Sequence, residues 1–249
     1  MAAQNTQAFT PPGAAAYARR LALVVPYRDR ADQLARFLPH ITTYFERDLF
    51  DRTIAYTLHI VEQSADSAFN RGALKNAGFL LARENADYVC FHDVDYLPIW
   101  ADYSYVQQPT RLIWHGLYPQ PGYDTFLGGV VAFTRADFER INGYSNDYAG
   151  WGYEDDDLRE RCRRAGLVPA FRDGTYTALP HAHHGLNEDG SQKPEAQATA
   201  RVFTAKLLQG DAGFGAEGLS TLKFAVEASA PMQKNGAPMP QVLHHRVRL

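Results

Sequence analysis

Short apolar runs alternate with amphipathic stretches along the first part of the chain. Residues 21–26, 54–61 and 88–91 are apolar over too few positions for a helix, so each run predicts a strand. Between them, residues 31–47 and 69–84 carry apolar side chains at helical spacing. Strands that alternate with helices predict a parallel sheet with helices on both faces. The fold class expected from this pattern is therefore α/β.

The rest of the chain is less regular. Strands are expected at 126–134, 167–171 and 220–228, and helices at 135–141, 154–165 and 200–209. Residues 99–123 are expected to form a long functional loop, and residues 185–200 a lid or crossing loop. Residues 1–18 are rich in Ala, Gln, Thr, Pro and Gly and are predicted to be a flexible arm. The Pro- and Gly-rich tail from Ser229 is left unassigned.

Charged side chains follow the ends of the first and third predicted strands. Arg28 and Arg30 follow the first strand. Asp93 and Asp95 follow the third, and they share one face if the strand continues to Pro98, where the ladder is expected to stop. Ligands of parallel sheets bind at the carboxyl ends of strands, so carboxylates that suit Mg²⁺ or Mn²⁺ and guanidinium groups that suit phosphate are expected to converge. The alternatives are an Asp-rich surface turn and solvated charges.

Two further groups extend the candidate site. Arg71 stands at the start of the second predicted helix, where a guanidinium beside a helix N-terminus can hold a diphosphate. His181 and His183 lie two apart in a segment expected to be extended, so their imidazoles face one way. Two imidazoles and a carboxylate form a common divalent metal site, although a single histidine is more often structural.

Four acidic residues, 154–157, follow the sequence Trp-Gly-Tyr. Acids in the first turn of a helix complement its dipole, which accounts for at least two of them. Trp151 offers a flat apolar face of the kind on which sugars stack. A carboxylate beside such a face could act as general base for a sugar hydroxyl. The run therefore predicts a helix start, with a sugar site as its functional interpretation.

Composition excludes several classes of protein. The chain has 249 residues, 45% of them hydrophobic and 21% charged, and a formal net charge of −3, so no nucleic-acid-binding surface is expected. No apolar run is long enough to span a bilayer, and the chain does not start as a signal peptide does. Cys90 and Cys162 are expected to be free thiols in a reducing compartment. The expected location is the cytoplasm, with a peripheral association at the inner face of the membrane left open.

Six motifs follow one another along residues 22–184. They are V-P-Y-R-D-R, F-N-R-G-A-L-x-N-A-G-F, F-H-D-V-D-Y-L-P, F-L-G-G-V, I-N-G-Y-S-N-D-Y-A-G-W-G-Y-E-D-D-D and H-A-H. In content and spacing the chain resembles the β-1,4-galactosyltransferases, glycosyltransferase family seven. The resemblance implies a GT-A fold, which is Rossmann-like, with a mixed central sheet flanked by helices. It also implies a single domain over 19–249, with a nucleotide-binding half at 19–123 and an acceptor and catalytic half at 124–249.

The resemblance implies a role for each residue that matches a family motif. Binding of the UDP-sugar donor is implied for Pro26, Tyr27, Arg28, Arg30, Phe69, Arg71, Asp93, Val94, Asp95, Gly128, Gly129, Trp151 and Glu154. The acceptor side is implied to comprise Trp151, Tyr153, Asp155 and Asp156. The ligands of Mn²⁺, for which Mg²⁺ is a substitute, are implied to be Asp95, His181 and His183. Asp155 is implied to be the catalytic base.

The implied activity is inverting transfer of galactose from UDP-galactose to a hydroxyl of a saccharide or glycoconjugate acceptor. The H-x-H form is similar to that of the xylosylprotein-galactosyltransferase branch. Animal members carry a Golgi anchor that this chain lacks, so a bacterial, cytoplasmic relative is expected.

The chain also departs from the family pattern. Phe126 stands where the family usually has a Tyr that touches the donor sugar, so transfer of N-acetylgalactosamine or another UDP-linked sugar stays an alternative. Tyr153 stands where the family often has Gly or Arg, so the acceptor pocket is expected to differ. A non-catalytic glycan- or nucleotide-binding relative is a further alternative. A metal-dependent nucleotidyltransferase leaves the W-G-Y-E-D-D-D run unexplained.

Overall fold

The computed structural model describes residues 19–46, 54–113, 126–180, 185, 187 and 189–249. Its strands are β1 Arg20–Tyr27, β2 Ala55–Gln63, β3 Tyr88–His92, β4 Tyr96–Ala101, β5 Thr110–Arg111, β6 Val130–Thr134, β7 Ala170–Phe171, β8 Gly174–Ala178, β9 Ala225–Lys234 and β10 Ala237–Arg248. Its α-helices are α1 Ala31–Glu46, α2 Arg71–Ala82, α3 Arg135–Arg140, α4 Glu154–Arg164 and α5 Pro194–Leu208. Short 3-10 helices lie at Arg83–Asn85 and Gly210–Gly213.

Most strands belong to one mixed sheet. Its order is β7-β5-β6-β3-β1-β2-β10-β9, while β4 and β8 form a separate two-stranded sheet. The four strands β3, β1, β2 and β10 run parallel, whereas β6 is antiparallel to β3 and β9 is antiparallel to β10. The predicted α/β fold with a mixed central sheet flanked by helices is therefore confirmed. Strands β6 and β10, from the predicted acceptor half, pair with β3 and β2 from the predicted nucleotide-binding half.

Alternate residues of β1 face two separate cores. Leu23 lies in the core that includes Phe37 of α1, and Val24 lies in the core that includes Leu74 of α2. Burial on both faces explains the continuous apolar run of β1. Helix α2 lies close to the sheet because residue 78 is glycine: a Cβ at Gly78 would lie 2.4 Å from Cγ1 of Val24.

The chain turns immediately after β3. Val94 and Asp95 form a turn in which the Tyr96 N–H donates to the Asp93 carbonyl over 3.3 Å, so the strand does not extend through both aspartates. The prediction that Pro98 stops the ladder is wrong, because Pro98 lies inside β4 and is paired with β8. A proline is tolerated at the edge of a two-stranded sheet, where the missing N–H can face away from the partner strand.

Several predicted boundaries also differ. The predicted loop at 99–123 contains the end of β4 and the strand β5. Helix α5 begins at Pro194 rather than at residue 200, consistent with the preference of proline for the first turn of a helix. Strands β6 and β7 are shorter than expected. The predicted flexible arm, residues 1–18, lies outside the described residues.

The largest difference concerns the C-terminal segment. A strand is expected at 220–228 and the tail from Ser229 is left unassigned, whereas β9 and β10 form a hairpin around an Asn235-Gly236 turn with positive φ at both residues. Strand β10 then lies parallel to β2, with Val242 and Val247 fully buried. Its two prolines and two histidines interrupt the alternation of apolar and polar residues by which a strand is predicted from sequence.

None of the described helices combines the length and apolar character needed to cross a lipid bilayer. Cys90 and Cys162 are both buried free thiols, as expected from the sequence.

Candidate active site

The end of β1 and the loop before α2 lie side by side. Pro26 and Tyr27 close β1, and the guanidinium of Arg28 donates to the Ser67 carbonyl over 2.7 Å. The same guanidinium lies over the Phe69 ring, 5.1 Å from its centroid. A guanidinium and an aromatic ring beside a strand end provide a surface suited to a flat base and a phosphate.

The loop that carries Phe69 is held by the last side chain of β2. Gln63 donates through Nε2 to Ser67 Oγ and accepts at Oε1 from the Asn70 N–H, both over 2.8 Å. Asn70 Oδ1 in turn accepts from the Ala73 N–H over 2.9 Å and caps α2. These bonds orient the N-terminus of α2 toward the carboxyl ends of the strands.

Arg71, the first residue of α2, joins two predicted site residues that are far apart in sequence. Its Nη1 lies 3.4 Å from Oδ2 of Asp93 and 3.2 Å from Oε1 of Glu154. Burial opposes the charge of Arg71, but the carboxylates of Glu154 and Asp93 hold the pKa of the guanidinium above its usual range. Arg71 therefore links the turn after β3 to the N-terminus of α4.

The turn after β3 is held from both sides. The Asp93 N–H donates to the carbonyl of Gly129 over 2.9 Å, and Gly129 adopts a φ of +74° that favours glycine. His92 lies with Nδ1 2.8 Å from the Asp93 carbonyl and Nε2 2.9 Å from the hydroxyl of Tyr103. Burial lowers the pKa of His92 to about 4. Val94 packs in the core, so the backbone on either side of Asp93 is firmly placed.

Asp155, the second residue of α4, is buried beneath the strand ends. Its Oδ1 lies 3.7 Å from Nζ of Lys75, and its Oδ2 would be only 2.3 Å from a Cβ placed on Gly128. Burial and the charge of Glu154 raise the pKa of the Asp155 carboxyl to about 8, against the opposing effects of Lys75 and Arg71. A buried carboxyl with a pKa in this range fits a general base. Lys75 occupies the unassigned position of the F-N-R-G-A-L-x-N-A-G-F motif, and no sequence pattern points to its role.

Asp95 is a second carboxyl with an altered pKa. Burial and the neighbouring Asp93 raise the pKa of the Asp95 carboxyl to about 6, against the charges of Arg71 and Arg30. A pair of aspartates in a partly desolvated turn favours an added cation, and carboxylate oxygens are the ligands that Mn²⁺ and Mg²⁺ prefer. The donor set at Asp95 is therefore compatible with a divalent metal.

The segment that leads to the predicted imidazole ligands starts beside Asp95. The Leu179 N–H donates to the Asp95 carbonyl over 2.7 Å, and Tyr96 pairs with Ala178 between β4 and β8. His181 and His183 themselves lie outside the described residues, so their role as metal ligands stays a prediction. Within the part of the chain that the structure describes, no group of three or more His, Cys, Asp and Glu side chains could hold a metal ion.

Trp151 is held by residues that follow the predicted metal ligands in sequence. Gly185 lies against the indole, since a Cβ on Gly185 would be 2.1 Å from Cε3 of Trp151. Thr199 of α5 donates to the Trp151 carbonyl over 2.7 Å. Tyr153 adopts a left-handed φ of +70° and stacks on Phe203 of α5, with ring centroids 5.5 Å apart. Helix α5, which the sequence predicts only in part, therefore supports the aromatic side of the site.

The four acids at the start of α4 have different environments. Glu154 and Asp155 are buried toward Arg71 and Lys75, as described above. Asp157 is completely buried and accepts from the hydroxyl of Tyr148 over 3.0 Å. Asp156 is half-exposed, with Arg159 3.8 Å away on the same helix, and lies outside the cluster around Arg71. The run starts α4 as expected, and its interpretation as part of a sugar site stays a prediction.

Two family models match the chain. The first, described as the N-terminal region of glycosyl transferase group 7, matches residues 2–107, and the second, described as the N-terminal domain of galactosyltransferase, matches residues 113–184. The crystal structure of the catalytic domain of Drosophila β-1,4-galactosyltransferase 7 in complex with xylobiose superposes with a TM-score of 0.74 and 30% sequence identity, over 93% of this chain and 94% of that one. This chain belongs to the β-1,4-galactosyltransferase family. The family resemblance seen in the motifs is therefore confirmed.

Other members of the β-1,4-galactosyltransferase family place the site in context. A mutant of the same Drosophila enzyme, in complex with manganese, UDP-Gal and xylobiose, is 28% identical with a TM-score of 0.74, over 93% of this chain and 94% of that one. The curated Drosophila melanogaster β-1,4-galactosyltransferase 7 is 36% identical over 173 residues, which are 66% of this chain and 52% of the relative. The chain thus spans about half the length of that relative.

Proposed function

We propose that the protein is an inverting, metal-dependent glycosyltransferase that moves galactose from UDP-galactose to a sugar hydroxyl of a glycan or glycoconjugate. The observation that carries the proposal is the cluster around Arg71, which joins Asp93 to Glu154 beside the buried carboxyl of Asp155. The Drosophila relative whose structure contains manganese, UDP-Gal and xylobiose supports the same donor and a saccharide acceptor.

In this proposal Asp155 takes the proton of the acceptor hydroxyl. The acceptor oxygen then attacks the anomeric carbon from the face opposite UDP, which inverts the configuration. One carboxylate is sufficient for such a transfer, whereas a hydrolase needs a carboxylate pair across the scissile bond. Trp151 provides an apolar face for the sugar, and Tyr153 and Asp156 lie on the acceptor side. Glu154 binds hydroxyl groups of the donor sugar.

The remaining donor-binding residues surround the nucleotide. Tyr27, Arg28 and Phe69 form the wall for uridine, and Asp93 binds the ribose or the sugar. Arg30 and Arg71 bring positive charge to the diphosphate.

The divalent ion would be held by Asp95, His181 and His183. The raised pKa of Asp95 and the hydrogen bond from Leu179 to the Asp95 carbonyl support this set, because the segment with the histidines begins next to that aspartate. When bound, Mn²⁺, or Mg²⁺ in its place, supplies positive charge that stabilises the departing diphosphate.

A second donor is favoured by one side chain. A Cβ on Gly128 would lie 2.4 Å from Cζ of Phe126. This ring atom, which bears the hydroxyl group in a tyrosine, therefore lies next to Gly128 and Asp155. Without that hydroxyl, the pocket has more room for an acetamido group. UDP-N-acetylgalactosamine is therefore the second candidate donor.

The two buried free thiols support a location in the cytoplasm.

The proposal is tested by screening UDP-sugars for Mn²⁺-dependent UDP release, with and without saccharide acceptors that include xylobiose. We expect UDP-galactose to be used with inversion of configuration. Asp155→Asn should retain UDP and Mn²⁺ binding but lose about 10²- to 10⁴-fold in transfer rate, the usual contribution of a general base. Asp173→Asn, at an exposed position between β7 and β8, is the matched control and should retain transfer.

Full transfer by Asp155→Asn would remove the base assignment. Tight UDP binding by the wild type without turnover of any UDP-sugar would favour the non-catalytic alternative.

A further inference from the structure

Lys75 is a fully buried lysine beside Asp155, the proposed base. It lies in α2, one helical turn after Arg71, and its side chain is 1% exposed. Its Nζ lies 3.7 Å from Oδ1 of Asp155 and 4.6 Å from the centroid of the Tyr144 ring. Burial of an ammonium group is costly unless a counter-charge and an aromatic face stabilise it. Asp155 and Tyr144 provide both for Lys75.

Two cationic side chains on α2 face two carboxyl groups on α4. Arg71 and Lys75, four residues apart on α2, face Glu154 and Asp155, which are adjacent on α4. Within the described residues, Oδ1 of Asp155 has no hydrogen-bond partner, so the ammonium of Lys75 is the closest described group of opposite charge. The other oxygen, Oδ2, lies against the backbone at Gly128.

The charges that face Asp155 come from three elements. Glu154 on its own helix and Asp93 after β3 disfavour the carboxylate, whereas Lys75 and Arg71 on α2 favour it. The hydroxyl of Tyr144 is also close enough for the charge of Asp155 to raise its pKa, after the larger effect of burial. Of the two cations, Lys75 has the larger effect on the carboxyl, and Arg71 is already engaged with Asp93 and Glu154.

We propose that Lys75 is a positioning residue for sugar transfer: its ammonium lies beside Oδ1 of Asp155 and favours the ionised carboxylate over the neutral acid, which leaves Oδ2 to take the acceptor proton. The inference rests on the proposed function. As Oδ2 binds the proton, the acceptor oxygen bonds to the anomeric carbon and the bond to UDP breaks, with its electron pair leaving on UDP.

The first test uses the protein without metal or donor. Aspartate side-chain carboxyls are labelled with ¹³C and titrated by NMR, and the Asp155 signal is identified by its absence in Asp155→Asn. We expect Lys75→Met to move the midpoint of that signal upward by about one pH unit or more, because an opposite charge at this distance has been removed. Lys75→Arg should keep the wild-type midpoint. Lys223→Met removes the same charge at an exposed position and should change nothing.

The second test measures the transfer rate against pH. We expect Lys75→Met to lose about tenfold or more at pH 7, and to recover as the pH rises, because its carboxylate is ionised only at higher pH. Lys75→Gln serves as a second neutral variant if Lys75→Met does not fold, with near-ultraviolet circular dichroism as the check on folding. A purely structural role would lower stability without moving the pH profile.

The two hypotheses fail in different ways. An unchanged Asp155 midpoint in both neutral variants overturns the inference, even if Asp155→Asn abolishes transfer. A shifted midpoint with an unchanged pH profile overturns the catalytic part of the inference. Full transfer by Asp155→Asn removes the base assignment, and the absence of turnover of every UDP-sugar by the wild type overturns the proposed function. The midpoint measurement tests neither of these two.

Discussion

Gly128 shows how tightly the proposed base is enclosed at the scale of a single residue. A Cβ at this position would lie 2.3 Å from Oδ2 of Asp155 and 2.4 Å from Cζ of Phe126. Real side-chain atoms do not approach so closely, so any larger residue would displace the carboxylate or the ring. The glycine motif is thus explained by contact with Asp155, a relation that the F-L-G-G-V pattern alone does not contain.

Gly128→Ala is expected to lower the transfer rate by about tenfold or more, because a shift of the base away from the acceptor hydroxyl of even one ångström is costly to catalysis. The free energy of unfolding should fall by about 1–3 kcal/mol, as for other overpacked sites. Steady-state kinetics and urea unfolding measure the two effects.

Gly166→Ala is the matched control for this change. Nothing lies within 4 Å of a Cβ there, but the φ of +70° makes alanine strained, which costs about 1–2 kcal/mol. The control should therefore lose similar stability and keep its transfer rate. Equal rates in the two variants would contradict the contact between Gly128 and Asp155.

At the scale of whole elements, helix α5 supports the loop that carries Trp151. It carries Thr199 and Phe203 to the Trp151 loop, and its C-terminal half is fixed by Lys206. Nζ of Lys206 lies 2.7 Å from Glu217 and 3.4 Å from Asp157, whose carboxylate also pairs with Arg161 of α4. This ionic network fastens α5 to α4, the helix whose start carries the proposed base.

Lys206→Met is expected to reduce the free energy of unfolding by about 3 kcal/mol, because it leaves buried carboxylates without one of their cations. Urea unfolding followed by circular dichroism measures the change. The exposed Lys223→Met should stay within about 0.5 kcal/mol of the wild type. A similarly small effect of Lys206→Met would mean that apolar packing alone holds α5.

At the scale of the whole molecule, a pair of histidines joins the C-terminal strand β10 to β2 inside the sheet. His59 of β2 and His245 of β10 are buried, with Nδ1 of the first 3.0 Å from Nε2 of the second. Burial and the neighbouring His245 lower the pKa of His59 to about 4, and burial also lowers the pKa of His245. Both side chains are therefore neutral in the folded protein at pH 7.

The stability of the fold is consequently expected to fall in mild acid. Between about pH 6.5, where unfolded histidine titrates, and about pH 4, the unfolded chain binds a proton at His59 that the folded protein does not. The free energy of unfolding therefore decreases as the pH falls through that window and is unaffected by His59 above it. The contribution of His59 should be about 3 kcal/mol at the lower end.

Urea unfolding of the wild type and of His59→Gln at several pH values from 7 to 4 isolates this contribution. Glutamine keeps hydrogen-bonding capacity but cannot be protonated in this range, so the difference between the two proteins should change with pH. A constant difference across the window would show that His59 does not titrate differently in the folded and unfolded states.

The sequence by itself determined the strands and helices of the first half and the family. Apolar periodicity is a local property, and in β1, α1, β2, α2 and β3 the buried faces follow it closely. The motifs also name most of the residues that meet around Arg71, because their chemistry is visible in the residue types. His181 and His183 stay a sequence prediction, since they lie outside the described residues.

Only the tertiary structure decided how distant segments combine. The parallel pairing of β10 with β2 joins residues far apart in the chain, and the burial of Val242 and Val247 depends on that pairing rather than on a local pattern. Lys75 reads as an ordinary polar position on a helix, yet contact with Asp155 and Tyr144 makes it a buried charge. Such contacts depend on distances between elements, which the order of residues along the chain does not specify.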